Sequence, residues 1–269
     1  MKIALKKKLF IIVPAVLLLI GGIVFAVNRS NKLTTPDPAP SSKKKVQSPV
    51  NVIPVADRPY LRLEPSSDGH YITLTVKEVK KSANQLDYEM EYQTGSMLQG
   101  FGGLMKLDKL PVSDKKLFGS QSAGGAITYH EDIKGGNLLA QFTGGEAYAV
   151  KSAWRYFTNS LKATEFASQD TKFSVKNADL SKYSYLIIYN SPGYPAELKQ
   201  ELLSDPYVLS AEKSLQTLSS KLEVSFRSSE EGQIMGYDGS KWQEMSTTYN
   251  DGLAQASGPA MDVYVLVKK

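Results

Sequence analysis

Hydrophobic and polar positions follow three regimes along the chain. From Leu9 to Val27 the run LFIIVPAVLLLIGGIVFAV holds nineteen residues without a charge. As a helix rising about 1.5 Å per residue it would span roughly 28 Å, close to the thickness of a bilayer's hydrocarbon core. Backbone amides find no water there, so a lone segment of this kind crosses as a helix. From Asn28 to Arg58 the apolar pattern vanishes. Pro36, Pro38, Pro40, Pro49 and Pro54, the Ser41-Ser42 pair and the run Lys43-Lys44-Lys45 cannot bury a core, and predict a disordered, extended linker. From Tyr60 onward the pattern turns to period two, the mark of strands with one buried and one wet face.

Within that third regime Ile72, Leu74 and Val76 alternate with Thr73, Thr75 and Lys77. Leu86, Tyr88, Met90 and Tyr92 alternate with Asp87, Glu89 and Glu91. Two antiparallel strands joined by the polar turn Lys80–Gln85 follow. Glycine doublets between Gly95 and Gly145 mark tight turns or bulges. Tyr148, Val150, Trp154 and Tyr156 predict a further strand, with a short helix over Ala147–Tyr156 as the alternative. In the second half, Tyr185–Tyr189, Leu222–Phe226, Gln233–Tyr237, Lys241–Met245 and Asp262–Val267 read as strands. Asp238-Gly239 is a hairpin signal and Asn250-Asp251-Gly252 a turn. Pro195–Leu203 predicts the one helix beyond the apolar run, with proline in its first turn and Leu198, Leu202 and Leu203 on one side.

The expected fold class is therefore mainly β. A single transmembrane helix (residues 9–27) and a flexible linker (28–58) precede an antiparallel β-sandwich-like ectodomain with one or two short helices. Two subdomains are expected, residues 59–158 and 172–269.

Charge orients this arrangement. Lys2, Lys6, Lys7 and Lys8 precede the apolar run, and only Arg29 and Lys32 follow it closely. That bias predicts a cytoplasmic basic tail (1–8), a lipid-bilayer span and an ectodomain outside the cytoplasm. A cleavable signal peptide, cut after Ala26, is the competing reading; its apolar core is usually 7–15 residues, so the longer run favours a signal-anchor. The net charge of +5 belongs to the tail and linker: residues 1–50 hold nine Lys/Arg against one acid, whereas residues 51–269 hold 23 against 26. A mildly acidic body argues against nucleic-acid binding. With zero cysteines there are no disulfides and no thiolate chemistry.

The ending GYDGSKWQEMSTTYNDGLAQASGPAMDVYVLVKK resembles the last hairpins of β-sandwich modules of uncharacterised bacterial surface proteins. There, too, a tryptophan follows a tight turn and the last strand is apolar. The resemblance covers about residues 232–269 and implies adhesion or scaffolding, not a catalytic motif.

Candidate chemistry is sparse. His130 with Ser120 or Ser122 and a carboxylate is the one set that suggests nucleophilic catalysis, as in an envelope-acting hydrolase. The segment Gly119–Gly124 is not the G-x-S-x-G elbow, however. Gly100-Phe101-Gly102-Gly103 lacks the spacing of a phosphate-binding loop, because Met105 stands where a third glycine is needed. No cofactor is expected. No metal site is expected either: Asp238, Asp251 and Asp262 lie near turns, but no calcium-loop motif surrounds them. Tyr183, Tyr185, Tyr189, Tyr194 and Tyr207 crowd one region and are the candidate binding surface, since aromatic faces anchor ligands. The expected role is non-enzymatic: binding of an envelope protein or glycan, or an accessory part of an envelope complex.

Overall fold

The computed structural model describes residues 49–269; the expected span Leu9–Val27 and most of the linker fall outside them. Among the described residues no helix is long and apolar enough to cross a membrane. The body is mainly β, as the period-two pattern predicts. The first nine strands are β1 (Tyr60–Pro65), β2 (Tyr71–Glu78), β3 (Gln85–Thr94), β4 (Met97–Lys106), β5 (Val112–Leu117), β6 (Gly119–Gln121), β7 (Ile127–Tyr129), β8 (Ile133–Thr143) and β9 (Tyr148–Thr158). Next come β10 (Glu165–Ala167), β11 (Phe173–Lys176), β12 (Tyr185–Asn190), β13 (Tyr207–Ala211) and β14 (Leu222–Arg227). The last five are β15 (Gly232–Tyr237), β16 (Trp242–Glu244), β17 (Thr247–Asn250), β18 (Leu253–Gly258) and β19 (Val263–Lys268). All pairings between these strands are antiparallel. Among the described residues the helices are short 3-10 segments at Val55–Asp57, Ala178–Lys182 and Leu215–Thr217.

One nine-stranded sheet, in the order β16-β15-β19-β13-β12-β9-β8-β3-β4, runs through the body. β9 and β12, on either side of residues 159–171, pair directly from Tyr185↔Thr158 to Tyr189↔Trp154. The two faces of this sheet feed different cores. Ile187 and Tyr189 of β12 join the side chains of β1 and β2 (Leu61, Leu63, Ile72, Leu74, Val76). The intervening Leu186 and Ile188 join those of β11, β14 and β18 (Phe173, Val175, Val224, Phe226, Ala254). The three-stranded sheet β1-β2-β5 thus lies on one face and the five-stranded sheet β10-β11-β14-β18-β17 on the other. This explains the YLIIY run: a strand covered on both sides reads as continuously apolar.

Two expectations need correction. Pro195–Leu203 is not a helix. Ala196 has φ +55°, outside the right-handed helical region, and the segment runs as a strap beside β19. Leu203 N–H donates to Leu266 C=O and Lys268 N–H to Glu201 C=O, both at 2.8 Å. Leu198 and Leu202 cover Met235, Val265 and Val267. Nine residues are too few for a helix to hold itself, so these tertiary partners decide. The end of the expected linker is also seated on the body. Val50 bridges Ala149, Arg58 holds Ile53 C=O and Asn51 C=O, each at 2.9 Å, and Ile53 and Val55 pack on the first core.

Candidate functional site: a charged cleft at the junction of the layers

β1 carries its side chains in two sets. Leu61 and Leu63 enter the core, while Arg62 and Glu64 point the other way and are half-buried. Those two face a cleft of about 570 Å³, closed by Lys77 of β2, by Leu209–Gln216 at the end of β13, and by Ala260–Asp262 leading into β19. Residues from the three larger sheets and their connections therefore meet at one place.

Arg62 is the centre of the cleft. Its Nη1 lies 3.1 Å from Asp262 Oδ1 and its Nη2 lies 3.2 Å from Glu64 Oε1. Burial works against its charge, yet its pKa is raised: the carboxylates of Glu64 and Asp262 beside it keep the guanidinium charged, and Tyr189 and Tyr60 add to this only where they ionise. Its Nε and the hydroxyl of Tyr60 are buried without a hydrogen-bond partner. Burial also raises the Tyr60 pKa. Around this centre Glu212 is fixed by the backbone N–H groups of Ser184 (3.0 Å) and Tyr185 (3.1 Å). Lys213 donates to Lys182 C=O at 2.9 Å and sits 4.8 Å from the centre of the Tyr183 ring. Lys77 is exposed and makes no ion pair among the described residues. Three cations and three carboxylates (Arg62, Lys77, Lys213; Glu64, Glu212, Asp262) make the lining polar and formally neutral. Such a lining offers donors and acceptors in fixed positions, the requirement for orienting a polar ligand.

The tyrosines expected to form a surface do not form one. Tyr183, Tyr189, Tyr194 and Tyr207 are buried and Tyr185 is half-buried. Tyr189 works as an interior tether: its hydroxyl accepts from Leu63 N–H and donates to Leu61 C=O, both at 3.2 Å. With Ser210, which donates to Leu63 C=O, it occupies the β1 edge that faces away from β2. Tyr207 donates to Asp170 and stacks on Phe173 with ring centres 5.0 Å apart. Tyr183 donates to Ser214 C=O at 2.9 Å. The Tyr185 ring fills the space beside Gly69, where a Cβ would come within 2.3 Å of it. Tyr194 packs edge-on to Trp242, with Lys80 Nζ 4.2 Å from its ring centre.

His130 is not joined to either serine. Its Nδ1 shares a 2.8 Å hydrogen bond with the hydroxyl of Tyr92, whose pKa burial pushes up to about 12. Ser120 and Ser122 lie on the exposed β6–β7 hairpin, where Ser122 N–H donates to Ala126 C=O. A serine nucleophile needs a base within hydrogen-bond reach, and this arrangement does not provide it.

No family model, curated protein or solved structure matches this chain.

Asp238 caps its turn, accepting from Ser240 N–H (2.8 Å) and Lys241 N–H (2.9 Å). Asp262 is taken by Arg62. Among the described residues no three metal-ligating side chains converge. The sequence reading missed the Arg62 cleft. Arg62 and Glu64 alternate with apolar residues as a solvated strand face would, and only the loops brought over them from residues 212–216 and 260–262 make them a site.

Proposed function

We propose that this chain is a membrane-anchored, extracytoplasmic binding module, with its β body displayed on a proline-rich linker and its ligand taken in the Arg62 cleft. The apolar run Leu9–Val27 and the lysines before it support the anchor and its orientation. The observation that carries the binding role is the cleft itself: a held guanidinium among mixed charges. Its balance of charge suits a polar envelope component bearing both signs, a glycan or a protein segment. The alternative of a hydrolase built on His130 draws no support from the hydrogen bond to Tyr92.

Lys77→Glu provides the test, because Lys77 lines the cleft, is exposed and holds no structural partner among the described residues. The full-length chain in detergent micelles is co-sedimented with purified envelope glycan and, separately, with solubilised envelope protein. Binding by the parent chain that falls at least tenfold in Lys77→Glu, a change of about 1.4 kcal/mol, is the expected result. Absence of binding to both, or binding that Lys77→Glu leaves unchanged, refutes the assignment.

A further inference from the structure

The nine-stranded sheet ends on an edge unlike the others. β4 is ten residues long and pairs with β3 from Thr94↔Met97 to Gln85↔Lys106. It stands last in the sheet order. Natural sheets blunt such edges with charge, proline, shortness or a cover. Among the described residues the other terminal strands follow that rule. β10, β16 and β17 have three or four residues, β5 carries Asp114, Lys115 and Lys116, and β1 is tethered by Tyr189 and Ser210. β4 has no charge and no proline from Met97 to Met105. Leu98 and Leu104 are 64% and 58% exposed on it.

Its sequence reads nearly the same in both directions: Met97-Leu98-Gln99-Gly100-Phe101-Gly102-Gly103-Leu104-Met105. Only the Gln99/Gly103 pair breaks the symmetry about Phe101. A two-fold interface requires a surface complementary to itself, which is what such a strand supplies to an antiparallel copy of itself. We propose that two copies of this chain pair through β4, antiparallel and centred on Phe101, joining their nine-stranded sheets into one.

The register follows from the symmetry. Phe101 faces Phe101 of the second copy, Leu98 faces Leu104, and Gly100 faces Gly102. A two-fold through a residue pairs even positions with even and odd with odd. In an antiparallel strand alternate residues turn their N–H and C=O groups outward, so outward groups meet outward groups. Leu98 and Leu104 share the face that lies away from the β1-β2-β5 layer, since Gln99, Phe101 and Met105 alternate toward it. The pairing therefore forms two cross-strand leucine pairs on that face, with glycines between them. Charge permits it. Asp87, Glu89 and Glu91 of β3 sit one strand back, opposite Leu104, Gly102 and Gly100. Across the dimer these rows are about 14 Å apart, three strand spacings, beyond the Debye length of about 8 Å at physiological ionic strength.

The chain has no native cysteine, so introduced thiols report the register cleanly. Leu98→Cys and Leu104→Cys are made singly and together in the full-length chain in detergent micelles, oxidised, and separated without reductant. Both positions are exposed, so the fold tolerates the changes. The double variant is expected to give a disulfide-linked dimer and each single variant a monomer, because position 98 lies about 20 Å along the strand from position 98 of the second copy. Leu98→Lys with Leu104→Lys, which sets like charges opposite each other, is expected to abolish the dimer in light scattering. A double-cysteine chain that stays monomeric, or single variants that cross-link as well as the double, overturns the proposal. So does a double-lysine variant that still dimerises.

Discussion

Tyr189 illustrates how one hydroxyl couples two layers. It answers a buried N–H and a C=O of β1 that have no strand partner on that side. Tyr189→Phe keeps the ring and strands Leu63 N–H without an acceptor. The expected cost is about 1–3 kcal/mol, read as a lower urea midpoint. Tyr194→Phe is the control, since the Tyr194 hydroxyl makes no hydrogen bond among the described residues, and it should stay within about 0.5 kcal/mol of the parent. The crowding of tyrosines was legible in the sequence, but their direction was not. A tyrosine has an apolar body and a polar tip, so the same residue suits a binding surface or a buried tether. Which one it becomes depends on whether a distant backbone group needs its hydroxyl. Likewise His130 stands beside Ser120 and Ser122 in sequence, yet its partner is Tyr92, on a strand well before it in the chain.

At the scale of elements, local chemistry decided most strands. The alternation over Leu86–Tyr92 became β3, and Asp238-Gly239 became the turn between β15 and β16, with Gly239 at φ +96°. Turn residues and period two are short-range signals and survive folding. The strap at Pro195–Leu203 shows where they fail. Its leucines are spaced as on a helix face, but they serve equally to cover Met235, Val265 and Val267 from an extended chain. Hydrogen bonds to β19, 62 or more residues away in sequence, select the extended form. The Arg62 cleft was hidden for the same reason: its walls come from β1, β13 and the approach to β19, and nothing local links them.

At the scale of the whole molecule, two cores share one sheet, and tyrosines populate both. Burial disfavours the phenolate and raises the pKa of Tyr189 and Tyr264 above the usual value near 10, and brings Tyr92 to about 12. A raised pKa of this kind leaves stability complete below the unfolded value near 10. Stability is then lost as pH climbs from there through the folded values, by up to about 1.4 kcal/mol per tyrosine for each pH step between the unfolded and folded values. Alkaline titration should therefore show phenolate absorbance from the buried tyrosines appearing together with loss of the β signal in circular dichroism. A gradual titration in a protein that stays folded above pH 12 would contradict this burial.

The proposed role depends most on where the β body stands relative to the membrane. A reporter that works only outside the cytoplasm, fused after Lys269 in the producing cell, measures this directly. An anchored ectodomain predicts full activity from that reporter and none from a cytoplasm-only reporter at the same junction. Activity of the cytoplasm-only reporter would contradict it.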